Sequence, residues 1–170
     1  TKVRLGEAEL VEEAGHRGVS LRVIKGQRVA VTSTSDLSEP GLARCVSDAL
    51  MLAELSEPDD CAGPADPSEL ASPPYPDLEL YDPAVEGVTA DDALDRARRA
   101  ERAALDFDPR ITLSEGATFS RTTGASARVI SNGFSGSQRG SYASLVVTPV
   151  AEDQGGKRRR GFHWSVSPPR

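Results

Sequence analysis

Apolar and polar positions follow two different periods along this chain, and the change of period marks its elements. Val19, Leu21 and Val23 alternate with Ser20, Arg22 and Ile24, and Val29 and Val31 resume the alternation after Lys25-Gly26-Gln27. A period of two with a glycine-bearing break predicts a β-hairpin with one buried face, Gly26 taking the positive φ of a tight turn. The pattern then changes. Leu42, Val46, Ala49, Leu50 and Ala53 recur at helical spacing. With Ser38 as N-cap and Pro40 in the first turn they predict a helix over Glu39–Glu54. A second helix is predicted to begin after Thr89 and to end before Pro109. Thr89 and Asp92 have capping-box spacing, with Asp in place of the usual Glu or Gln. Leu94, Ala97, Ala104 and Leu105 fall on its inward side, and Arg96, Arg98, Arg99, Glu101 and Arg102 on its solvated side.

Around these helices the chain reads as extended. Val3–Glu13 suggests two short pieces about Gly6. Ile111–Phe119, Ala125–Ser131, Gln138–Val150 and Arg158–Val166 read as four strands. Their separators are turns at Thr123-Gly124, Asn132-Gly133 and Asp153-Gln154-Gly155-Gly156. Asn-Gly between extended segments is a strong hairpin signal, and short connections favour an antiparallel meander. Between the helices, residues 56–83 hold seven of the twelve prolines. Proline removes backbone donors and fixes φ, so this run is expected to be an extended crossing. Tyr75, Leu78, Leu80 and Tyr81 are expected to pin it to the body. The order hairpins, helix, proline-rich crossing, helix, meander predicts an α+β fold: a mostly antiparallel sheet with two main helices.

Composition narrows the function classes. The chain has 170 residues, 38% of them hydrophobic, and a net charge of −6. An acidic balance argues against general nucleic-acid binding, which carries a basic footprint. No apolar run is long enough for a membrane span, and no signal peptide is visible. Cys45 and Cys61 form no metal-ligand pattern; they could pair only if the fold brings them together, and two free thiols in an intracellular chain is the favoured reading. The start at Thr1 without methionine and the Ser-Pro-Pro-Arg end point to a fragment of something longer.

The chemical motifs are sparse. The glycine- and serine-rich stretch Ser131–Tyr142 could cradle a phosphate only if it joined a strand to a helix. It leads instead into the strand-like SYASLVVTPV and has no Gly-Lys-Ser/Thr. A hairpin turn with a small-residue strand entry fits better, with Phe134 placed in the core in preference to being offered to a partner. His16 and His163 are far apart and lack a His-Glu pair at helical spacing, so neither is expected to bind metal. No Gly-x-Ser-x-Gly elbow is present, since Ser114-Glu115-Gly116 and Gly133-Phe134-Ser135-Gly136 both miss it. The acidic pairs Asp59-Asp60 and Asp91-Asp92 read as solvated residues and a helix start. Lys157–Arg160 reads as the start of an exposed strand whose charges discourage edge aggregation. A patch for an acidic partner is its minor alternative.

The ordered set RGVSLRVIKGQRVAVTSTSDLS, LYDP, SEGATFS, ISNGFSG and PVAEDQGGKRRRGFHWS resembles the TldD/PmbA family, from Val3 to Ser165. The resemblance implies a cytoplasmic, metallopeptidase-related protein linked to peptide-toxin maturation and antitoxin turnover, with an older label of DNA gyrase modulator. In that family the TldD-like branch carries a His-Glu-x-x-x-His zinc motif, and the PmbA (TldE) branch lacks it and pairs with TldD as a heterodimer. Asn132-Gly133-Phe134-Ser135-Gly136 looks more like the PmbA branch. The resemblance therefore implies an N-terminal region, residues 1–170, of a non-catalytic PmbA-like subunit. It implies a TldD-like peptidase subunit and a peptide substrate as partners, and no nucleic acid or membrane. No catalytic, metal or cofactor residue is expected in this chain, zinc belonging to the partner or the parent protein. Asn132, Phe134, Ser135, Gly136 and Ser137 are the candidate peptide or partner contacts. Two alternatives stand beside this reading: an N-terminal domain of an active zinc metallopeptidase whose metal site lies outside the chain, and a plain protein-interaction domain.

Overall fold

The structure, a computed structural model, describes residues 1–167. The chain folds as α+β in two compact units. The larger comprises Thr1–Glu13, Pro73–Val129 and the chain from Ser135 onward; the smaller comprises Ala14–Ser72 and Ile130–Phe134.

In the larger unit the two extended pieces about Gly6 are β1 (Lys2–Arg4) and β2 (Glu7–Leu10), joined through Leu5 (φ 51°) and Gly6 (φ 83°). Two successive positive φ values give the turn a twist that matches paired strands. β1 also pairs with β5 (Ile111–Val129), which pairs along its length with β6 (Ser135–Glu152). The short strands β7 (Arg158–Arg160) and β8 (His163–Ser167) both pair with the far side of β6. The result is an antiparallel sheet of six strands, with β2-β1-β5-β6 in order.

Two expectations about these strands are corrected. Thr123-Gly124 is not a turn: Thr123 pairs with Ser141 and Gly124 with Gly140 inside one continuous 19-residue strand. A glycine weakens a strand without ending it, and here the partner ladder carries the chain through. The last predicted strand is split in two. β7 pairs with Val150–Glu152 and β8 with Ala143–Val147, so the break faces Pro149, which has no N–H to give a ladder. Gly161 N closes the gap on Pro149 O at 3.2 Å. The turn at Asp153–Gly156 and the hairpin at Asn132-Gly133 fall where expected.

Helix α3 (Ala90–Asp106) lies on this sheet, and its capping box between Thr89 and Asp92 is complete. The core gathers Val3, Val88, Ala93, Ala97, Ala117 and Phe119. Gly116 (φ 118°) is where β1 comes closest, since a Cβ there would stand 2.6 Å from Val3 O. The proline-rich crossing is less featureless than predicted. It forms a 3-10 turn at Pro67–Glu69 and a one-turn helix α2 (Pro83–Glu86), each begun by proline behind an aspartate cap, Asp66 and Asp82. Of the predicted pins, Tyr75, Leu78 and Leu80 keep exposed side chains; the chain is held instead by the Leu80 carbonyl, which accepts from Ser141 N, and by the Tyr81 ring stacked against Arg139.

In the smaller unit β3 (Val19–Lys25) and β4 (Arg28–Thr34) form a two-stranded hairpin with Gly26 and Gln27 both at positive φ. Helix α1 (Glu39–Leu55) packs on it. Ser38 Oγ accepts from Gly41 N at the predicted N-terminus. At the other end Ser56 Oγ donates to Val29 O at 3.0 Å, and along the helix Thr32 Oγ1 donates to Cys45 O at 3.1 Å. The buried row is Cys45, Ala49 and Ala53; Leu42, Val46 and Leu50 of the predicted stripe stay partly exposed. The hairpin is too narrow to cover larger side chains beside that row.

Candidate functional site

The distal half of the β5–β6 hairpin is a two-stranded ribbon. β1 stops at Ala117 and Thr118 on the β5 side, and β8 begins at Ala143 on the β6 side. Ser141 N donates to Leu80 O at 2.8 Å, so Ser141 turns its main chain away from β5. Side-to-side alternation then points the main-chain groups of Arg139, Ser137 and Ser135 the same way. Among the described residues no strand flanks them. The open edge of β6 is therefore the segment Ser135–Arg139, closed at one end by the Leu80–Asp82 segment, whose Asp82 N donates to Ser141 Oγ at 2.8 Å.

That closed end is stiffened by a polar cluster. Glu86 accepts from the Tyr81 hydroxyl and from Arg139 Nη2, the latter at 3.1 Å. The Arg139 guanidinium lies 3.8 Å from the centre of the Tyr81 ring. The hydrogen bond to Glu86 raises the Tyr81 phenol above its ordinary range, and the same bond lowers the Glu86 carboxyl.

The five candidate contact residues divide between the two units. Ser135, Gly136 and Ser137 open β6 in the larger unit, paired with Val129, Arg128 and Ala127. Small side chains at a strand edge let another backbone come close. Asn132 and Phe134 belong to the smaller unit, where Asn132 Nδ2 donates to Ala65 O at 2.6 Å and Asn132 Oδ1 is buried without a partner. Phe134 is half-buried, and its carbonyl accepts from Ile130 N at 2.9 Å.

Sequence reasoning missed one polar residue outright. Glu101, expected on the solvated side of its helix, is only 1% exposed. Its two oxygens accept from Leu5 N at 2.9 Å and Gly6 N at 2.8 Å, gripping both outward amides of the β1–β2 turn. Arg98 Nε donates to Gly6 O at 3.1 Å beside them. A signal was present: Ala93, Ala97 and Glu101 step by four, so the glutamate continues the small-residue row that faces the sheet. Of the histidines and cysteines, His16, His163 and Cys61 are exposed and Cys45 is buried. Among the described residues no three His, Cys, Asp or Glu side chains gather to hold a metal ion. No helix among them is long and apolar enough to cross a membrane. Arg158–Arg160 is an exposed edge strand, with Arg158 near Glu152 and Arg160 near Glu115, both within 3.3 Å.

A helix-backed antiparallel sheet with an open ribbon edge defines the class of protein, and comparison with known proteins identifies the family. The PmbA/TldA metallopeptidase central domain matches residues 83–168, and domain 1 of the same proteins matches residues 1–53. The chain belongs to the PmbA/TldD family. It is 38% identical over 156 residues to metalloprotease PmbA of Escherichia coli O157:H7, covering 92% of this chain and 34% of that protein. A PmbA homologue from Haemophilus influenzae is 41% identical over 147 residues, covering 86% and 32%. The chain thus spans about a third of the length of the curated relatives it matches. Among solved structures, a candidate modulator of DNA gyrase from Bacteroides thetaiotaomicron superposes with a TM-score of 0.83 at 26% identity, covering 92% of this chain and 36% of that one. TldE from Thermococcus kodakarensis shares the fold with a TM-score of 0.76 at 16% identity, covering 98% and 37%.

Proposed function

We propose that this chain is the N-terminal region of a non-catalytic PmbA/TldE-like subunit in the cytoplasm. Its β5–β6 ribbon receives an extended peptide by strand addition, while a TldD-like zinc peptidase partner performs the hydrolysis. The observation that carries this reading is the open edge Ser135–Arg139, set in a chain whose family is metallopeptidase-related. Backbone pairing along such an edge supplies affinity with little dependence on peptide sequence, as a subunit handling varied peptides requires.

A Ser137→Pro substitution in the full-length protein tests the edge. Proline removes an outward N–H that β5 does not use, so the ribbon survives and peptide crosslinking to β6 is lost. Undiminished crosslinking rejects strand addition. A pull-down of a TldD-like peptidase with and without residues 1–170 tests the pairing, and equal capture without them rejects it.

A second reading has its own support: the curated relatives carry the name metalloprotease. Here the region belongs to a subunit with its own zinc site outside these residues. Stoichiometric zinc in the purified full-length protein, lost together with peptidase activity on chelation, selects this reading.

A further inference from the structure

Away from the ribbon, a cleft of about 320 Å³ opens between α3 and the sheet. That volume is at the lower end of ligand sites, which run from about 300 to 1,000 Å³. Its floor is apolar, made by Phe119 of β5 and Ala143 and Leu145 of β6. Phe119 pairs with Leu145 and Leu145 with Ser165 of β8, so the floor is one row across three strands. Two exposed arginines of α3, Arg96 and Arg99, form the wall above it.

No carboxylate stands among the side chains that line this floor. Arg96 holds its guanidinium 5.5 Å from the centre of the Phe119 ring, which orients the cation over the floor. Among the described residues neither Arg96 nor Arg99 stands in an ion pair, and no carboxylate lines the cleft. The nearby acids have their hydrogen bonds and ion pairs elsewhere: Asp92 is held in the capping box and meets the Arg96 charge only through space, Asp95 pairs with Arg98, and Glu101 holds the β1–β2 turn. A group that fits must carry an anionic head and, within a few bonds, an apolar body. Guanidinium forks match the planar geometry of a carboxylate. The side of β8 away from β6 has no strand partner among the described residues, leaving main-chain groups for a peptide beside the rim at Ser165.

From this arrangement we infer that the cleft binds the carboxyl-terminal end of a peptide. The terminal carboxylate sits against Arg96 and Arg99, and the last apolar side chain rests on Phe119, Ala143 and Leu145. The inference rests on the peptide-handling reading only in choosing a peptide as the source of the carboxylate. It concerns a site separate from the Ser135–Arg139 edge.

The test uses the full-length protein and a dye-labelled pentapeptide ending in leucine, as free acid and as C-terminal amide, read by fluorescence anisotropy. The free acid is expected to bind at least about tenfold more tightly than the amide. Arg99→Gln and the double variant R96M/R99M are expected to abolish that preference. The single variant leaves the Arg96–Phe119 stack intact, so a folding defect in the double variant cannot hide the result. Arg99→Gln is expected to leave peptide crosslinking to β6 as it is, and a loss of acid preference with that crosslinking intact separates this cleft from the ribbon. Equal binding of acid and amide overturns the inference, as does a preference that survives Arg99→Gln. Octanoate competing as well as the peptide overturns the peptide as source, and inorganic phosphate competing equally reduces the cleft to a general anion site and overturns it as well.

Discussion

Helices α1 and α3 have 17 residues each and reverse what their compositions suggest. α1 carries four leucines, a valine and a methionine, yet Leu50, Met51 and Leu55 are 42%, 55% and 77% exposed. α3 is mostly charged, yet it buries a glutamate completely. Both helices turn a row spaced by four toward their strands: Cys45, Ala49 and Ala53 in one, Ala93, Ala97 and Glu101 in the other. Small residues make the close contact in each case, and the surface beneath decides what happens beside it. α1 has only the two strands β3 and β4 to cover it within its unit, whereas α3 spans β1, β5 and β6. Burial thus follows the width of the partner surface, and apolar content alone does not predict it.

The sharpest way to break this comparison is Glu101→Ala. It removes the acceptor of the part-buried Leu5 and Gly6 amides and is expected to cost about 1–3 kcal/mol in a urea titration. Glu101→Gln, which keeps one acceptor oxygen, should lose less. An unchanged midpoint for Glu101→Ala would show that the carboxylate does not hold the turn.

Next come opposite substitutions on the two helices. Ala97→Leu forces bulk into a fully buried contact and is expected to destabilise by about 1–3 kcal/mol. Leu50→Ala removes bulk from a half-exposed position and should cost about 1 kcal/mol or less. The same titrations compare them, and a larger loss for Leu50→Ala would mean that α1 is covered more fully than its exposure indicates. Thr89→Ala, which removes the capping oxygen of α3, is expected to cost about 1 kcal/mol, read as a lower thermal midpoint.

The smallest effect is electrostatic and lies just past the end of α3. Arg110 donates to both oxygens of Asp108, at 2.9 and 2.7 Å, and holds its carboxyl at about 2 against an ordinary 3.8. A carboxyl depressed on folding stabilises the native state above its unfolded pKa, and this contribution disappears as pH falls toward the folded value. Wild type should therefore lose a small increment of stability between about pH 4 and about pH 2 that Asp108→Asn does not lose. Parallel acid melts of the two proteins measure it, and identical slopes would refute it.

Much of the fold is legible along the chain because local rules govern it. Alternation about Gly26 gave the β3–β4 hairpin, Ser38 and Pro40 the start of α1, and Thr89 with Asp92 the start of α3. Asn132-Gly133 marked the reversal between β5 and β6. Local rules failed where a distant segment took over. Thr123-Gly124 read as a turn, and only the facing Ser141-Gly140 keeps it straight. Glu101 read as solvated because its partners are two amides almost a hundred residues away in sequence.

Residue order by itself therefore settled the element types, most of their caps and turns, and kinship with the PmbA/TldD proteins, since each depends on neighbours within a few positions or on ordered motifs. Tertiary structure alone decided which edge of β6 stays open, which charges are buried and where two arginines meet an apolar floor. Those outcomes depend on hydrogen bonds and packing between segments far apart in the chain, and spacing along one strand or helix carries no record of what lies across from it.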